Sequence, residues 1–146
     1  MPLAQFNIAR GRWPKGDPRM GEFEENVPRM NALARRSPGF LWLLDDRATI
    51  LDDPRMTWTL SLWESPEALA AFAFNTVHRR FFRRKAEWFE AIDHAWFILW
   101  PIEPGRLPTL EEALAKKAKL DAEGPSDEVF GWERFPHLAA ARETAA

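Results

Sequence analysis

Residues Met56 to Trp63 alternate without a break, and a helix start follows almost at once. Met56, Trp58, Leu60 and Leu62 point one way, and Thr57, Thr59, Ser61 and Trp63 the other, the period-two signature of a strand with two unlike faces. Ser65 then supplies an N-cap, Pro66 the first helical position and Glu67 an acidic first turn. A strand that turns into a helix within two residues must fold that helix back over its own sheet. The chain is therefore expected to build a layered α+β domain rather than a helical bundle or an all-β sandwich.

The flanking segments extend this pattern. Leu3 to Arg10 reads as a strand with Ala4, Phe6 and Ile8 opposite Leu3, Gln5 and Asn7, and Gly11 to Pro18 as a loop. A helix is expected from Met20 to Arg36, with Pro28 kinking it or dividing it in two, and Ser37-Pro38-Gly39 ending it. Phe40 to Leu44 is a short apolar strand, joined to Met56–Trp63 by the polar loop Asp45 to Arg55. After the Ser65 helix, Asn75-Thr76 is expected to open a second helical segment reaching about Ile92, followed by a strand from His94 to Trp100. Thr109 caps a last amphipathic helix, LEEALAKKAKLDAEG, which Gly124 stops.

The element order is β-α-β-β-α-β plus a C-terminal helix. It predicts a ferredoxin-like α+β fold: a four-stranded antiparallel sheet with helices on one face. The Phe40 and His94 strands are apolar on both faces, which helices on one side would leave partly wet. Two copies pairing sheet to sheet as a dimeric α/β barrel would bury the remainder, so a homodimer through sheet faces is expected. One domain is expected over residues 1–137, with Phe130, Trp132 and Phe135 docking on it and 138–146 fraying.

Composition narrows the function. A net charge of −2 over 146 residues gives no global field for nucleic acid or anionic lipid. The absence of cysteine removes disulfides and thiolate chemistry. No basic leader precedes an apolar run, and no segment approaches the roughly 20 apolar residues of a membrane span, so a cytoplasmic protein is expected. Eight Trp and eleven Phe, with no Tyr, suit either a ring-filled core or an aromatic-lined pocket.

Around His78, helical geometry places Phe74, Val77, Phe81, Trp88 and Ile92 on one stripe, with His78, Phe82 and Phe89 on its shoulder. His78 has three open readings: a core histidine satisfied by a carbonyl, a pocket acid–base group working near neutral pH, or a haem ligand. Arg84 and Lys85 either snorkel or point a cation into a cavity. A cavity lined by Trp63, Phe74, Phe82 and Trp88, with Asn7 or Arg84 facing in, would favour an enzyme. His78, His94 and His137 have no metal-ligand spacing, and no nucleotide-binding or nucleophile-elbow string occurs. The pairs Asp45-Asp46 and Asp52-Asp53 read as loop solubility or, less simply, as a cation site.

Several ordered strings resemble one family across nearly the whole chain: AQFNIAR, MNALARRSPGFLW, SLWESPEALAAF, HRRFFRRKAEWF and RLPTLEEALAKKAKLDAEGPSDEVFGW. They are similar to the bacterial domain-of-unknown-function family 3291. That resemblance implies the dimeric α/β-barrel superfamily, whose members include antibiotic-biosynthesis-type monooxygenases and haem-degrading enzymes. By it, Asn7 and His78 fall loosely where haem-degrading members keep an asparagine and a histidine, while the tryptophan of that set has no good match. The resemblance implies a small-molecule-binding protein of monooxygenase type, acting without a cofactor on an aromatic or polyketide-like substrate. His78 and Asn7 would be catalytic, with Trp63, Phe74, Phe82, Arg84 and Trp88 against the substrate. A non-catalytic sensor or stress-associated dimer is the rival reading, and haem binding a third.

Overall fold

The computed structural model describes residues 1–46, 48–74, 84–91 and 96–138. Its strands are β1 (Leu3–Gly11), β2 (Phe40–Leu43), β3 (Met56–Trp63), β4 (Phe89–Glu90) and β5 (Phe97–Pro101). Its helices are α1 (Gly21–Arg35), α2 (Pro66–Ala73), α3 (Lys85–Trp88) and α4 (Leu110–Glu123). The sheet is antiparallel with β1 at its centre. β3 and then β2 lie on one edge of β1, and β5 and the two-residue β4 on the other. This is the ferredoxin-like arrangement that the element order predicts, with β4 as a fifth strand added to the expected four.

Local chemistry places the elements. Ser65 Oγ accepts from the Ala68 amide at 3.1 Å and Thr109 Oγ1 from the Glu112 amide at 3.1 Å, so both expected N-caps form. α1 runs as one helix through Pro28 rather than as two. At Gly39 the backbone takes φ +84° and turns into β2, and an added Cβ would lie 2.4 Å from the Ala68 Cβ. Only glycine lets the α1–β2 corner sit this close to α2. The Asp45–Arg55 loop closes on a tight turn in which Leu51 and Asp52 both have positive φ.

Register sorts the strand residues onto two faces. Ala4, Phe6 and Ile8 share one face with Leu60, Leu62, Ile98 and Trp100, all buried. Leu3, Gln5 and Asn7 share the other with Trp63, Ser61, Thr59, Leu99 and Phe97. Ala34 of α1 and Leu69 and Ala70 of α2 pack on this second face, as the fold class requires. The C-terminal helix takes the opposite side, where Ala113, Leu110, Leu114 and Leu120 join the first face together with Ile50, Ile102 and Val129. Phe130 pairs its backbone with Leu99 at 2.8 and 2.9 Å, continuing the sheet past β5, and Trp132 docks behind it.

The apolar face expected to be left for a second copy carries α4 and Ile50, because LEEALAKKAKL presents its apolar stripe to β5, while Trp42, Leu44, Trp58 and Trp96 on that face stay half-buried. Leu41, at the β2 bulge, is exposed. One expectation changes here. The helical segment expected to reach Ile92 ends instead at Trp88. Phe89 and Glu90 extend along Gly11 and Arg10, where strand pairing satisfies their backbone. The expected His94–Trp100 strand is found as Phe97–Pro101, with Trp96 outside it and 92–95 outside the described residues.

Candidate functional site

The helix-covered face of the sheet carries an unusual polar strip. Gln5 and Asn7 of β1 stand beside Thr59 and Ser61 of β3, where helix packing would ordinarily favour apolar side chains. Gln5 and Ser61 are buried and fully engaged: Ser61 Oγ lies 2.6 Å from Gln5 Oε1, and Gln5 Nε2 donates to Thr59 Oγ1 at 3.2 Å. Trp63 Nε1 donates to Ser61 Oγ at 2.9 Å. Farther along the strip burial falls away. Asn7 is half-buried and Thr59 exposed, and the Asn7 amide has no hydrogen-bond partner among the described residues. An accessible amide and hydroxyl thus lie next to each other beyond the buried end of the strip.

Rings flank the strip. Asn7 is the register partner of Phe97 as well as of Thr59. Phe97 stacks on Trp132 at 5.3 Å, and Phe74 at the end of α2 meets Trp132 at 5.7 Å. On the far side Trp63 stacks on Phe72 at 5.2 Å and meets Phe40 edge-on at 5.5 Å. Flat apolar walls beside two polar groups suit an aromatic ligand carrying an oxygen.

The residues expected from the sequence divide clearly. Asn7 reaches the strip, and Trp63 and Phe74 lie around it, with Trp63 fully buried as a packing residue that also donates a hydrogen bond. The face of Trp63, open in the sequence, is the Asn7 face, which is also the face under α2. Arg84 and Trp88 lie elsewhere. Trp88 is buried near the β4 end of β1 against Phe23 at 5.9 Å, and the Arg84 guanidinium lies 4.8 Å from its ring. Eight strand steps separate Leu3, the partner of Trp63, from Gly11, the partner of Phe89, or roughly 26 Å at about 3.3 Å per residue. A small ligand centred on Asn7 does not span that length.

Arg84 binds carboxylates instead. It donates to Glu22 at 2.5 and 2.8 Å and to Glu87 at 2.8 and 3.0 Å, joining α1 to α3 at the surface. Glu22, then Glu87, hold the guanidinium charged far above its ordinary range, and Arg84 holds both carboxyls below theirs. The cation expected in the cavity is therefore spent on the surface. Lys85 lies 5.1 Å from the centre of the Trp96 ring and is exposed. His78 and Phe82 lie outside the described residues.

Asp45 and Asp53 of the loop are likewise occupied. Asp53 accepts from Arg10 Nε at 3.1 Å and from the Arg55 amide at 2.9 Å, while Asp45 lies 3.8 Å from Arg35. Among the described residues no three His, Asp or Glu side chains gather as metal ligands would. The described histidine, His137, is exposed in the C-terminal segment, and His94, like His78, lies outside the described residues.

Sequence reading missed Gln5, Ser61, Thr59, Phe97 and Trp132 as members of this site. The signal for the first three was present: their faces on β1 and β3 alternate polar against apolar, and polar residues under helices demand partners. The approach of Trp132 depends on the path of the tail, which no local pattern encodes.

With the geometry in place, the comparisons can be set beside it. The model of the domain of unknown function (DUF3291) matches residues 2–145. The chain belongs to this family. A search of curated proteins finds no match. Among solved structures, a conserved protein from Methanosarcina mazei Go1 aligns at 10% identity with a TM-score of 0.57, over 70% of this chain and 94% of its own. A putative antibiotic biosynthesis monooxygenase from Nitrosomonas europaea aligns at 15% identity and TM-score 0.55, over 71% of this chain and 92% of its own. SnoaB, a cofactor-independent oxygenase from Streptomyces nogalater, aligns at 17% identity and TM-score 0.50, over 75% and 96%. At these identities the likeness establishes the fold alone. No described helix of the chain is long and apolar enough to cross a membrane.

Proposed function

We propose that this chain binds a flat aromatic or polyketide-like small molecule on the helix-covered face of its sheet and oxygenates it without a resident cofactor. The observation that carries the reading is the half-buried Asn7 amide, without a partner among the described residues, beside the exposed Thr59 hydroxyl and the Phe97 ring. A half-buried amide and an exposed hydroxyl side by side next to an aromatic ring offer a ligand oxygen two donors and a flat wall. The fold shared with SnoaB supports this chemistry by analogy.

In such a reaction a methylene between two aromatic rings gives up both hydrogens. One atom of O2 becomes the ketone oxygen and the other leaves as water, so the substrate supplies all the electrons. The protein has to exclude water, take the first proton and hold the oxygen on which negative charge develops. Asn7 is proposed for the last of these tasks, and His78 as the base. Trp63 and Phe74 shape the surround, and Phe82 is proposed to close it. The homodimer expected from the sequence stays part of this proposal, supported by the half-buried Trp42, Leu44, Trp58 and Trp96 on the face that carries α4.

Titration of the full chain with anthrone, followed by quenching of tryptophan fluorescence and by oxygen uptake, tests the reading. Binding should saturate and oxygen uptake should exceed the protein-free rate. Asn7→Ala should weaken binding about ten-fold, the worth of one hydrogen bond to a partly charged oxygen, without lowering the melting temperature. Neither binding nor uptake by the wild type would end the proposal.

A further inference from the structure

The hydrogen bonds under α2 run in one direction. An indole N–H can only donate, so Trp63 Nε1 fixes Ser61 Oγ as an acceptor at 2.9 Å. The one proton of Ser61 must then go elsewhere, and Gln5 Oε1 at 2.6 Å receives it. That contact fixes the orientation of the Gln5 amide: its oxygen faces Ser61 and its nitrogen faces Thr59 Oγ1 at 3.2 Å. The flipped amide would leave the Ser61 proton without an acceptor at a site only 7% exposed, a cost the observed orientation avoids. Thr59 Oγ1 therefore accepts from Gln5 at 3.2 Å, and its own proton has only a weak partner in the network. That partner, Gln5 Oε1, lies at 3.5 Å, the outer limit of a hydrogen bond, and takes the far shorter bond from Ser61 at 2.6 Å. Thr59 is exposed, so this proton is available to a partner outside the network.

We infer that Trp63, Ser61, Gln5 and Thr59 form a one-way hydrogen-bond relay that presents the Thr59 hydroxyl, beside the Asn7 amide, as paired donors to one oxygen of the ligand. This rests on the binding face proposed above and specifies what it recognises: a carbonyl or phenolate oxygen on a flat aromatic, not an ammonium or other donor group. Thr59 and Asn7 are register partners, whose side chains stand about 5 Å apart on one face, a spacing that lets both reach a single oxygen. Each link polarises the next, and burial of Trp63, Ser61 and Gln5 keeps water from reversing the chain. Asn7 and Thr59 touch the ligand; Gln5, Ser61 and Trp63 are positioning residues that act through Thr59.

The relay makes an isosteric reversal testable. In Gln5→Glu, the carboxylate accepts from both Ser61 and Thr59 and turns the Thr59 proton inward. Thr59→Val removes the donor with no change of shape on an exposed strand position, and Thr59→Ser restores it. The probe is 1,8-dihydroxyanthraquinone, a flat coloured phenol whose visible band moves to longer wavelength as its hydroxyl ionises. Bound to the full wild-type chain, it should show that shift at a pH where the free dye does not. Thr59→Ser should keep the shift. Thr59→Val and Gln5→Glu should lose it and bind about ten-fold more weakly, with circular dichroism confirming the fold. A shift equal in wild type, Thr59→Val and Gln5→Glu would overturn the relay while leaving the binding face standing. If the wild type does not bind the dye, the relay falls together with the reading beneath it. Should Gln5→Glu fail to fold, the Val and Ser variants at Thr59 decide alone.

Discussion

Asn7 shows how far one residue can be read from its neighbours in sequence. Alternation placed it opposite Phe6 and Ile8, and the strand register confirms that face. Its lack of a described partner needed three strands and could not be read from one. Gly39 is the converse, a residue whose role is purely steric. Ser-Pro-Gly marked a helix end in the sequence, but the 2.4 Å approach to Ala68 depends on α2 folding back over that corner. Gly39→Ala combines a positive φ with a backbone-adjacent clash, and it should cost about 2–3 kcal/mol. Chemical denaturation measures this directly as a lower midpoint with an unchanged slope, and a loss below about 0.5 kcal/mol would contradict the packing described.

Elements were legible where caps and periodicity agreed. β3, α2 and α4 begin at the positions their Thr, Ser and Pro signals indicate. Lys85–Trp88 is helical as expected, but Phe89–Glu90 is not: Phe89 fits a helical stripe as well as an edge strand, and the pairing with Arg10 and Gly11 that makes it a strand is invisible locally. α4 was recognised, but its destination was not, since an amphipathic stripe does not name the surface it covers. Glu112 anchors that helix at its first turn: it accepts from Arg106 at 2.8 and 2.9 Å and from Trp100 Nε1 at 3.2 Å. The Arg106 hydrogen bonds, more than that from Trp100, hold its carboxyl below the usual glutamate range despite partial burial. A depressed folded value means that the stabilisation is present above the unfolded value of about 4.3 and is lost as pH falls below it through the folded one. Glu112→Gln should therefore lower the melting temperature at pH 7 and flatten its fall below about pH 4. Parallel wild-type and variant pH profiles would show that Glu112 does not hold α4 in place.

At the scale of the molecule, the fold class followed from element order, and the solved structures agree with it. The sequence left open how the second sheet face is covered. Each of the compared structures matches 70–75% of this chain and nearly all of its own. Here the C-terminal helix and Val129 pack on one face, and α1, α2 and Trp132 on the other. If α4 alone completes the first face, the melting temperature is independent of concentration between roughly 1 and 100 µM. Ala113→Asp, which places a charge in that fully buried contact, should uncover the face and raise dye binding to exposed apolar surface. A wild-type melting temperature that climbs with concentration would show that a second copy completes the fold.

The most direct test of the binding face is a titration of the isotopically labelled full chain with 1,8-dihydroxyanthraquinone, monitored by two-dimensional NMR. The Trp63 indole N–H and the side-chain amides of Gln5 and Asn7 report on the strip, while the Trp100 indole N–H, bonded to Glu112, reports on the α4 side. The account predicts saturable shifts at Asn7, Gln5 and Trp63 with Trp100 unmoved. Shifts centred on Trp100 and α4, with Asn7 silent, would contradict it.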